Sequence, residues 1–190
     1  WESGYIQTNT FCTPNMLLMS STFLYFAYGS NLLLKRIHIN NPSATRIGIG
    51  KLKNYRLDFN YKSERWGGAA ATIVPDNGSS VWGALWEIHN DNMSSLDRQE
   101  GVSQGVYQVV TVSVEQPDGR TVQCRTYQLV DLPPALSEGE SLPPHRQPSK
   151  VYMDTIVAGA EESGLPAHYI EQLRNIPNNG YSGPVNHHID

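Results

Sequence analysis

The sequence is poor in the features that mark several classes of protein, and cysteine is the first of them. Only two cysteines, Cys12 and Cys124, occur in 190 residues, and neither lies in a CxxC motif or in a Cys/His spacing typical of zinc sites. A disulfide framework needs more cysteines than this. The composition therefore favours unpaired thiols in a reducing compartment, so we expect a cytoplasmic protein without a metal site.

Long apolar runs and basic clusters are absent as well. No run of 18 apolar residues occurs, which argues against a transmembrane helix. The net charge is −4 and no basic segment stands out, so we expect neither nucleic acid nor an anionic membrane surface as a partner. With 39% apolar and 17% charged residues, the chain has enough apolar side chains for one domain with a hydrophobic core.

The distribution of polar and proline residues divides the chain into a central domain and two tails. Residues 1–22 have no clear hydrophobic period, so we expect a disordered N-terminal tail, which leaves secretion open as an alternative. Residues 23–184 are expected to form a single domain. Residues 185–190, which include His187-His188, are expected to form a polar C-terminal tail. Residues 131–149 contain five prolines and predict a loop, with a flap as one interpretation.

Hydrophobic periodicity predicts a strand-rich domain with helices after the first strand and at the end. Apolar or alternating segments predict strands over 23–28, 46–61, 69–74, 80–88, 106–115 and 121–130. The turn segments Pro75-Asp76-Asn77-Gly78 and Pro117-Asp118-Gly119-Arg120 separate two pairs of them. Helices are predicted over 32–40, 90–101, 150–163 and 166–175. The irregular connections favour an α+β domain with a curved sheet or small barrel over a doubly wound sheet.

One strand-to-helix turn is a candidate binding site. The apolar run that ends at Tyr28 is followed by Gly29-Ser30-Asn31 and then by a predicted helix. The first N–H groups of a helix have no partner within it, so this turn can hold a carboxylate or a carbonyl oxygen. The alternative is an ordinary strand-to-helix turn. Ser30 is a weak candidate nucleophile because the sequence has no GxSxG motif.

A second candidate is Glu100, at the end of the predicted helix 90–101. If this carboxylate turns inward, burial raises its pKa and suits it to act as a general base that also returns the proton. The alternative is a solvated carboxylate at a helix end. By residue type alone, Asp97 and Glu87 are equally suitable.

Three tyrosines on or after the later strands form the third candidate group. A phenol can line a cavity and offer one hydrogen bond, although each of these side chains can equally belong to the core or to an interface. They are Tyr107, Tyr127 and Tyr152.

These segments together resemble the γ-glutamylcyclotransferase family. The resemblance covers residues 23–130 and 150–184, in register and with short gaps. The segments that carry it include Tyr25-Phe26-Ala27-Tyr28-Gly29-Ser30-Asn31-Leu32, Arg36-Ile37-His38, Asn41-Pro42-Ser43, Gly67-Gly68-Ala69-Ala70-Ala71-Thr72-Ile73, Leu96-Asp97-Arg98-Gln99-Glu100-Gly101-Val102, Cys124-Arg125-Thr126-Tyr127 and Gly164-Leu165-Pro166.

The resemblance implies a fold, an activity and a set of site residues. The fold is a small mixed β-barrel with flanking helices, commonly as a homodimer. The activity converts γ-glutamyl-amino acids to 5-oxoproline and a free amino acid, as in glutathione metabolism, without cofactor or metal. The catalytic glutamate of the family falls on Glu100. Its substrate loop falls on Tyr25, Phe26, Ala27, Tyr28, Gly29, Ser30 and Asn31, and Tyr107, Tyr127 and Tyr152 are expected to line the pocket.

Two alternatives stay open at this point. One is a relative that prefers γ-glutamylamines or glutathione as substrate. The other is a ligand-binding relative that has lost catalysis, although the presence of Glu100 argues against it. The long loop 131–149 leaves the position of Tyr152 least certain.

Overall fold

Residues 21–185 are described by a computed structural model, which contains a closed barrel of five strands with helices packed outside it. The strands are β1 (Thr22–Ala27), β2 (Thr45–Ser63), β3 (Gly68–His89), β4 (Tyr107–Glu115) and β5 (Thr121–Leu129). The helices are α1 (Leu34–Ile37), α2 (Met93–Gln99), α3 (Lys150–Ser163) and α4 (Ala167–Arg174), and short 3-10 turns occupy Ser30–Leu32, Asn90–Asn92 and Pro144–Arg146. No helix within these residues is both long and apolar enough to span a membrane.

The barrel is mixed, as the sequence predicted. Its strand order is β1-β3-β2-β4-β5, and these neighbours pair antiparallel. The barrel closes where β5 pairs parallel to β1, with Tyr25 opposite Arg125. Of the five strands, β2 and β3 are the longest, and β2 pairs with both β3 and β4. The predicted α+β fold with a small mixed barrel and flanking helices is therefore confirmed.

The predicted turn at Pro75-Asp76-Asn77-Gly78 does not end a strand. Lys53 pairs with Ser80 and Tyr55 pairs with Pro75, so residues 76–79 of β3 lie opposite Asn54 alone. Asn54 Oδ1 accepts a hydrogen bond from the backbone N–H of Gly78 at 3.2 Å. The turn residues thus form a bulge of four residues opposite one, and pairing with β2 on both sides keeps β3 continuous.

The predicted helix 32–40 is wrong in its extent. Leu33 is extended, with φ −85° and ψ 124°, and separates the 3-10 turn Ser30–Leu32 from α1. The carbonyl oxygen of Leu32 accepts hydrogen bonds from Ser163 Oγ and Arg46 Nη2, each at 3.1 Å. Side chains from α3 and β2 therefore donate to the carbonyl oxygen of Leu32, which in a continuous helix would accept a backbone N–H.

The proline-rich loop 131–149 is anchored to β2 near both of its ends. Arg146 is 4% exposed, and its guanidinium donates to Asp58 Oδ1 at 2.5 Å and to the carbonyl oxygen of Pro134 at 3.2 Å. Arg56 donates to the other oxygen of Asp58 at 3.0 Å and to the carbonyl oxygen of Pro133 at 3.1 Å. The buried carboxylate of Asp58 thus ties the loop to β2.

The tails fall almost entirely outside the described part of the chain. Of the predicted tail 1–22, the structure describes Ser21 and Thr22, and Thr22 begins β1, so the strand starts one residue before the predicted domain. Cys12 and the pair His187-His188 lie outside the described residues. Cys124 is buried in the barrel, where loss of solvation raises the pKa of its thiol to about 11.

Candidate active site

The turn after β1 and the end of α2 meet at one cavity. Gly29, Ser30, Asn31 and Glu100 all line a small cavity of about 40 Å³. The side chain of Asn31 donates from Nδ2 to Glu100 Oε1 at 3.3 Å, although the two residues are 69 positions apart in the sequence. The position of Glu100 follows from local structure, because α2 ends at Gln99 and Gly101 turns the chain with a positive φ of 63°.

Most of the residues selected from the sequence line this cavity. The predicted residues found there are Tyr25, Tyr28, Gly29, Ser30, Asn31, Glu100, Tyr107, Tyr127 and Tyr152. Phe26 and Ala27, which were also predicted to bind substrate, are fully buried and do not line it. Thr126 Oγ1 donates to the carbonyl oxygen of Phe26 at 2.8 Å, so this part of β1 belongs to the barrel wall.

A larger cavity of about 480 Å³ adjoins the small one. The two share Ser30, Glu100, Tyr107 and Tyr152 in their walls. The larger cavity adds basic and aromatic side chains that the small one lacks, among them Arg36, Lys62, Arg65, Trp66 and Arg98. A ligand can therefore extend from the small, tyrosine-lined cavity past Glu100 into a wider and more basic space.

A chain of amide side chains holds Glu100. Asn41 Nδ2 donates to Gln99 Oε1 at 3.3 Å, which fixes the orientation of the Gln99 amide. Gln99 Nε2 in turn donates to Asn31 Oδ1 at 3.1 Å and to Glu100 Oε1 at 3.3 Å. Asn31 Nδ2 is shared between Glu100 and the hydroxyl of Tyr25, the latter at 3.1 Å. Within residues 21–185, Glu100 Oε2 accepts no hydrogen bond, so this oxygen is available to a ligand.

The surroundings of Glu100 place its pKa near neutrality. Burial is the largest effect and raises the pKa of this carboxyl to about 7. The positive charges of Arg36 and Arg65 and the hydrogen bonds from Gln99 and Asn31 oppose that rise. A carboxyl with a pKa near 7 can accept a proton and return it at neutral pH, which is the property of a general acid–base group.

Tyr107 and Tyr152 fix the cavity wall by holding the backbone of one residue of β3, Ala71. The hydroxyl of Tyr107 donates to the carbonyl oxygen of Ala71 at 2.6 Å. The hydroxyl of Tyr152 accepts the N–H of Ala71 at 3.3 Å. Its own O–H proton has no acceptor among residues 21–185, so Tyr152 can donate to a ligand. Burial raises the pKa of both phenols, which therefore stay protonated.

Asp97 and Glu87, which by residue type were equally suitable as the base, do not line either cavity. Asp97 Oδ1 accepts hydrogen bonds from Arg125 at 2.5 Å and from the hydroxyl of Tyr127 at 2.6 Å. Asp97 therefore orients Tyr127 rather than facing the cavity itself. Glu87 lies exposed on β3, outside the walls of both cavities.

Arg36 and Gln99 were missed by sequence reasoning. Gln99 is 9% exposed and Arg36 only 3% exposed, although both are polar residue types that usually face solvent. A signal for Arg36 was present in the predicted helix 32–40, where position 36 lies one turn after the apolar Leu32. In the structure Leu33 is extended, so packing against distant elements and not helical spacing buries Arg36.

The chain is similar in sequence to known proteins over most of its length and similar in fold to a solved structure. The model of the AIG2-like family matches residues 80–173. Gamma-glutamylcyclotransferase of Bos taurus is 43% identical over 173 residues, which cover 89% of this chain and 86% of the bovine protein. The Mus musculus protein of the same name is 44% identical with the same coverage. A solved structure titled "Gamma-glutamyl cyclotransferase" has a TM-score of 0.78 and 40% identity, covering 87% of this chain and 94% of that chain.

Proposed function

The chain belongs to the γ-glutamylcyclotransferase family, and from this premise we propose that it converts γ-glutamyl-amino acids to 5-oxoproline and a free amino acid, with Glu100 as the catalytic base. The observation that carries the proposal is that Glu100 and the Gly29-Ser30-Asn31 segment line one cavity, joined by the 3.3 Å hydrogen bond from Asn31. A general base thus lies beside a segment suited to hold the glutamyl group.

The reaction needs one proton carrier and a substrate folded on itself. Glu100 accepts a proton from the α-ammonium group of the substrate. The freed amine attacks the γ-carbonyl carbon and closes a five-membered ring, while negative charge develops on the carbonyl oxygen. The C–N bond to the leaving amino acid then breaks as Glu100 returns its proton to that nitrogen. Glu100 next removes the second proton from the ring nitrogen, which becomes the lactam N–H, and passes it to the departing amine, which leaves as an ammonium group. The products are 5-oxoproline and the amino acid, and no enzyme nucleophile takes part.

In this scheme, orientation of the substrate supplies most of the rate acceleration. Well-aligned intramolecular reactions reach effective molarities of about 10⁵ M or more. General acid–base catalysis adds about 10²–10⁴-fold. The backbone of Gly29 and Ser30 borders the cavity, and its N–H groups would stabilise the oxyanion. Tyr25, Tyr28 and Tyr127 would confine the glutamyl chain to the folded shape that the ring requires.

The proposal is tested by direct assay of product. The purified protein is incubated separately with γ-glutamyl-alanine, γ-glutamyl-ε-lysine and glutathione, and 5-oxoproline is quantified by chromatography. We expect the highest kcat/KM for γ-glutamyl-alanine. A higher value for γ-glutamyl-ε-lysine or for glutathione would instead assign the chain to one of those specificities. Absence of 5-oxoproline with all three would indicate a ligand-binding protein.

Substitution at Gly29 tests whether the glutamyl group lies against the turn after β1. Gly29 has a φ of −113°, outside the left-handed range, and nearby side chains limit the space for a Cβ atom. A Cβ atom there would lie 3.3 Å from the hydroxyl of Tyr152. The added methyl groups would occupy space that the proposed substrate position requires. If displacing them costs about 1–3 kcal/mol, as overpacking does, Gly29→Val should lower kcat/KM by about tenfold or more.

Gly29→Ala is the matched control, because it adds the Cβ without the two further methyl groups. Its expected loss is smaller than that of the valine variant, and both variants should keep the wild-type circular dichroism spectrum. Wild-type KM and kcat in the valine variant would show that substrate does not approach Gly29.

Three further parts of the proposal rest on the family resemblance and, for the location, on the low cysteine content. They are a homodimeric state, a role in glutathione metabolism and a cytoplasmic location. The buried, unpaired Cys124 is compatible with a reducing compartment.

A further inference from the structure

Arg36 is a buried cation in which two of the three guanidinium nitrogens have no hydrogen-bond partner among residues 21–185. Its side chain is 3% exposed, and the two nitrogens are Nε and Nη1. A guanidinium stays charged in proteins and carries five N–H donors. Leaving such donors buried without partners is costly. The site therefore lacks an acceptor that a bound ligand would supply.

The surroundings of Arg36 indicate that this ligand is an anion. Arg36 lines the larger cavity beside Glu100, Arg65 and Trp66. The positive charge of Arg36 is repelled by Arg65 and attracted by Glu100. The guanidinium carbon of Arg36 lies 5.9 Å from the centre of the Trp66 ring. A planar guanidinium on an aromatic face is oriented for a carboxylate, which it can bind through two parallel hydrogen bonds.

The arrangement of the two cavities indicates which carboxylate of the substrate is held. A γ-glutamyl-amino acid has one carboxylate on the glutamyl part and another on the amino acid that leaves. Arg36 lines the cavity of about 480 Å³ but not the adjoining one of about 40 Å³. If the glutamyl part lies in the small cavity, the leaving amino acid extends past Glu100 into the large one.

We propose that Arg36 binds the carboxylate of the leaving amino acid and thereby makes the enzyme selective for γ-glutamyl derivatives of α-amino acids over those of simple amines. This inference rests on the proposed function. A substrate without that carboxylate leaves the Arg36 donors unpaired in its complex, so selectivity arises from the penalty on the wrong substrate as well as from the contact with the right one.

Two substrates that differ by this carboxylate alone provide the test. γ-Glutamyl-ethylamide is γ-glutamyl-alanine without its carboxylate, and kcat/KM for 5-oxoproline release is measured with both. For the wild-type enzyme we expect a ratio of about 10–100 in favour of γ-glutamyl-alanine. In Arg36→Met the ratio should approach one, because loss of the Arg36 charge affects Glu100 equally with both substrates, whereas loss of the carboxylate contact lowers kcat/KM for γ-glutamyl-alanine alone. Arg36→Lys, which keeps the charge without the planar fork, should give an intermediate ratio.

Arg65→Met is the matched comparison, since Arg65 lines the same cavity. It should change kcat/KM for both substrates by the same factor. Equal losses for both substrates in Arg36→Met, or loss of selectivity in Arg65→Met instead, would overturn the assignment. A wild-type ratio near one would also overturn it, even if Arg36→Met failed to fold. Absence of 5-oxoproline from both substrates would reject the proposed function itself and is distinct from these outcomes.

Discussion

Replacement of Glu100 by glutamine is expected to lower kcat for 5-oxoproline release by about 10²–10⁴-fold or more. Glutamine has the same shape and can still accept the hydrogen bonds that Asn31 and Gln99 donate to Oε1. It cannot accept the proton of the substrate ammonium group. The variant should therefore bind substrate with an affinity near that of the wild type, measured by calorimetry, while turnover measured by product chromatography is lost.

The pH dependence provides an independent check of the same role. Glu100 must be deprotonated to act as a base, and burial raises its pKa to about 7. Below that pH, kcat/KM of the wild type should fall by about tenfold for each pH unit. The residual activity of Glu100→Gln should lack this decrease. Glu87→Gln, the same change at an exposed carboxylate outside both cavities, should keep the wild-type profile. Turnover near the wild-type value in Glu100→Gln would refute the assignment of the base.

The Glu100→Gln variant should also be at least as stable as the wild type at pH 8. The folded-state pKa of Glu100 is raised from 4.5 to about 7, so between these values the native state binds a proton that the unfolded state does not. Stability contributed by this group therefore decreases as the pH rises through that interval. Above it, the wild type keeps a partly buried charge that glutamine does not have. A lower melting temperature in the variant would mean that lost activity reflects lost structure.

Replacement of Arg146 by alanine is expected to have the largest effect on stability. The side chains of Arg146 and Asp58 are 5% and 7% exposed, and their ion pair is accompanied by a hydrogen bond from Arg146 Nε to the carbonyl oxygen of Phe59 at 3.1 Å. Removal of one partner of a buried pair leaves an uncompensated charge and costs about 3–5 kcal/mol. Because Arg56 still contacts Asp58, we expect the lower end of this range, measured by urea denaturation.

Arg120→Ala is the control for this change. Arg120 pairs with Asp118 at the tip of the β4–β5 hairpin, where its side chain is 74% exposed. Exposed pairs contribute little to stability, so the urea midpoint of this variant should match that of the wild type. A shift in Arg146→Ala no larger than that of Arg120→Ala would show that the ion pair does not anchor the loop.

The loop anchored by Arg146 also leads to the active-site wall. It ends at Ser149, whose hydroxyl accepts the backbone N–H of Tyr152 at 3.1 Å and so caps the start of α3. Residues 134–141 of the loop are exposed, while Ser149 is fully buried. The long loop therefore does not displace Tyr152, because its last residues are fixed against β3 and the Asp58 pair.

Several parts of the molecule were determined by local sequence. The hairpin of β4 and β5 follows from two β-branched segments on either side of Pro117-Asp118-Gly119-Arg120, and the end of α3 follows from Gly164, which has a φ of 73°. The strand-to-turn segment that ends at Asn31 and the helix that ends before Glu100 were likewise predictable. In these segments, side-chain period and turn chemistry depend only on residues a few positions apart.

The tertiary structure determined the features that depend on residues far apart in the sequence, which are strand continuity, helix extent and the burial of the site residues. Pairing with β2 kept β3 continuous across Pro75, and contacts with α3 interrupted the helix predicted over 32–40. Barrel closure brought Asn31 to Glu100 across 69 positions and buried Arg36 beside them. Burial and the pKa of Glu100 depend on which elements pack around a residue, and residue type alone does not specify this. The sequence by itself therefore determined the segments and the candidate residues, and only the packed barrel determined that they share one cavity.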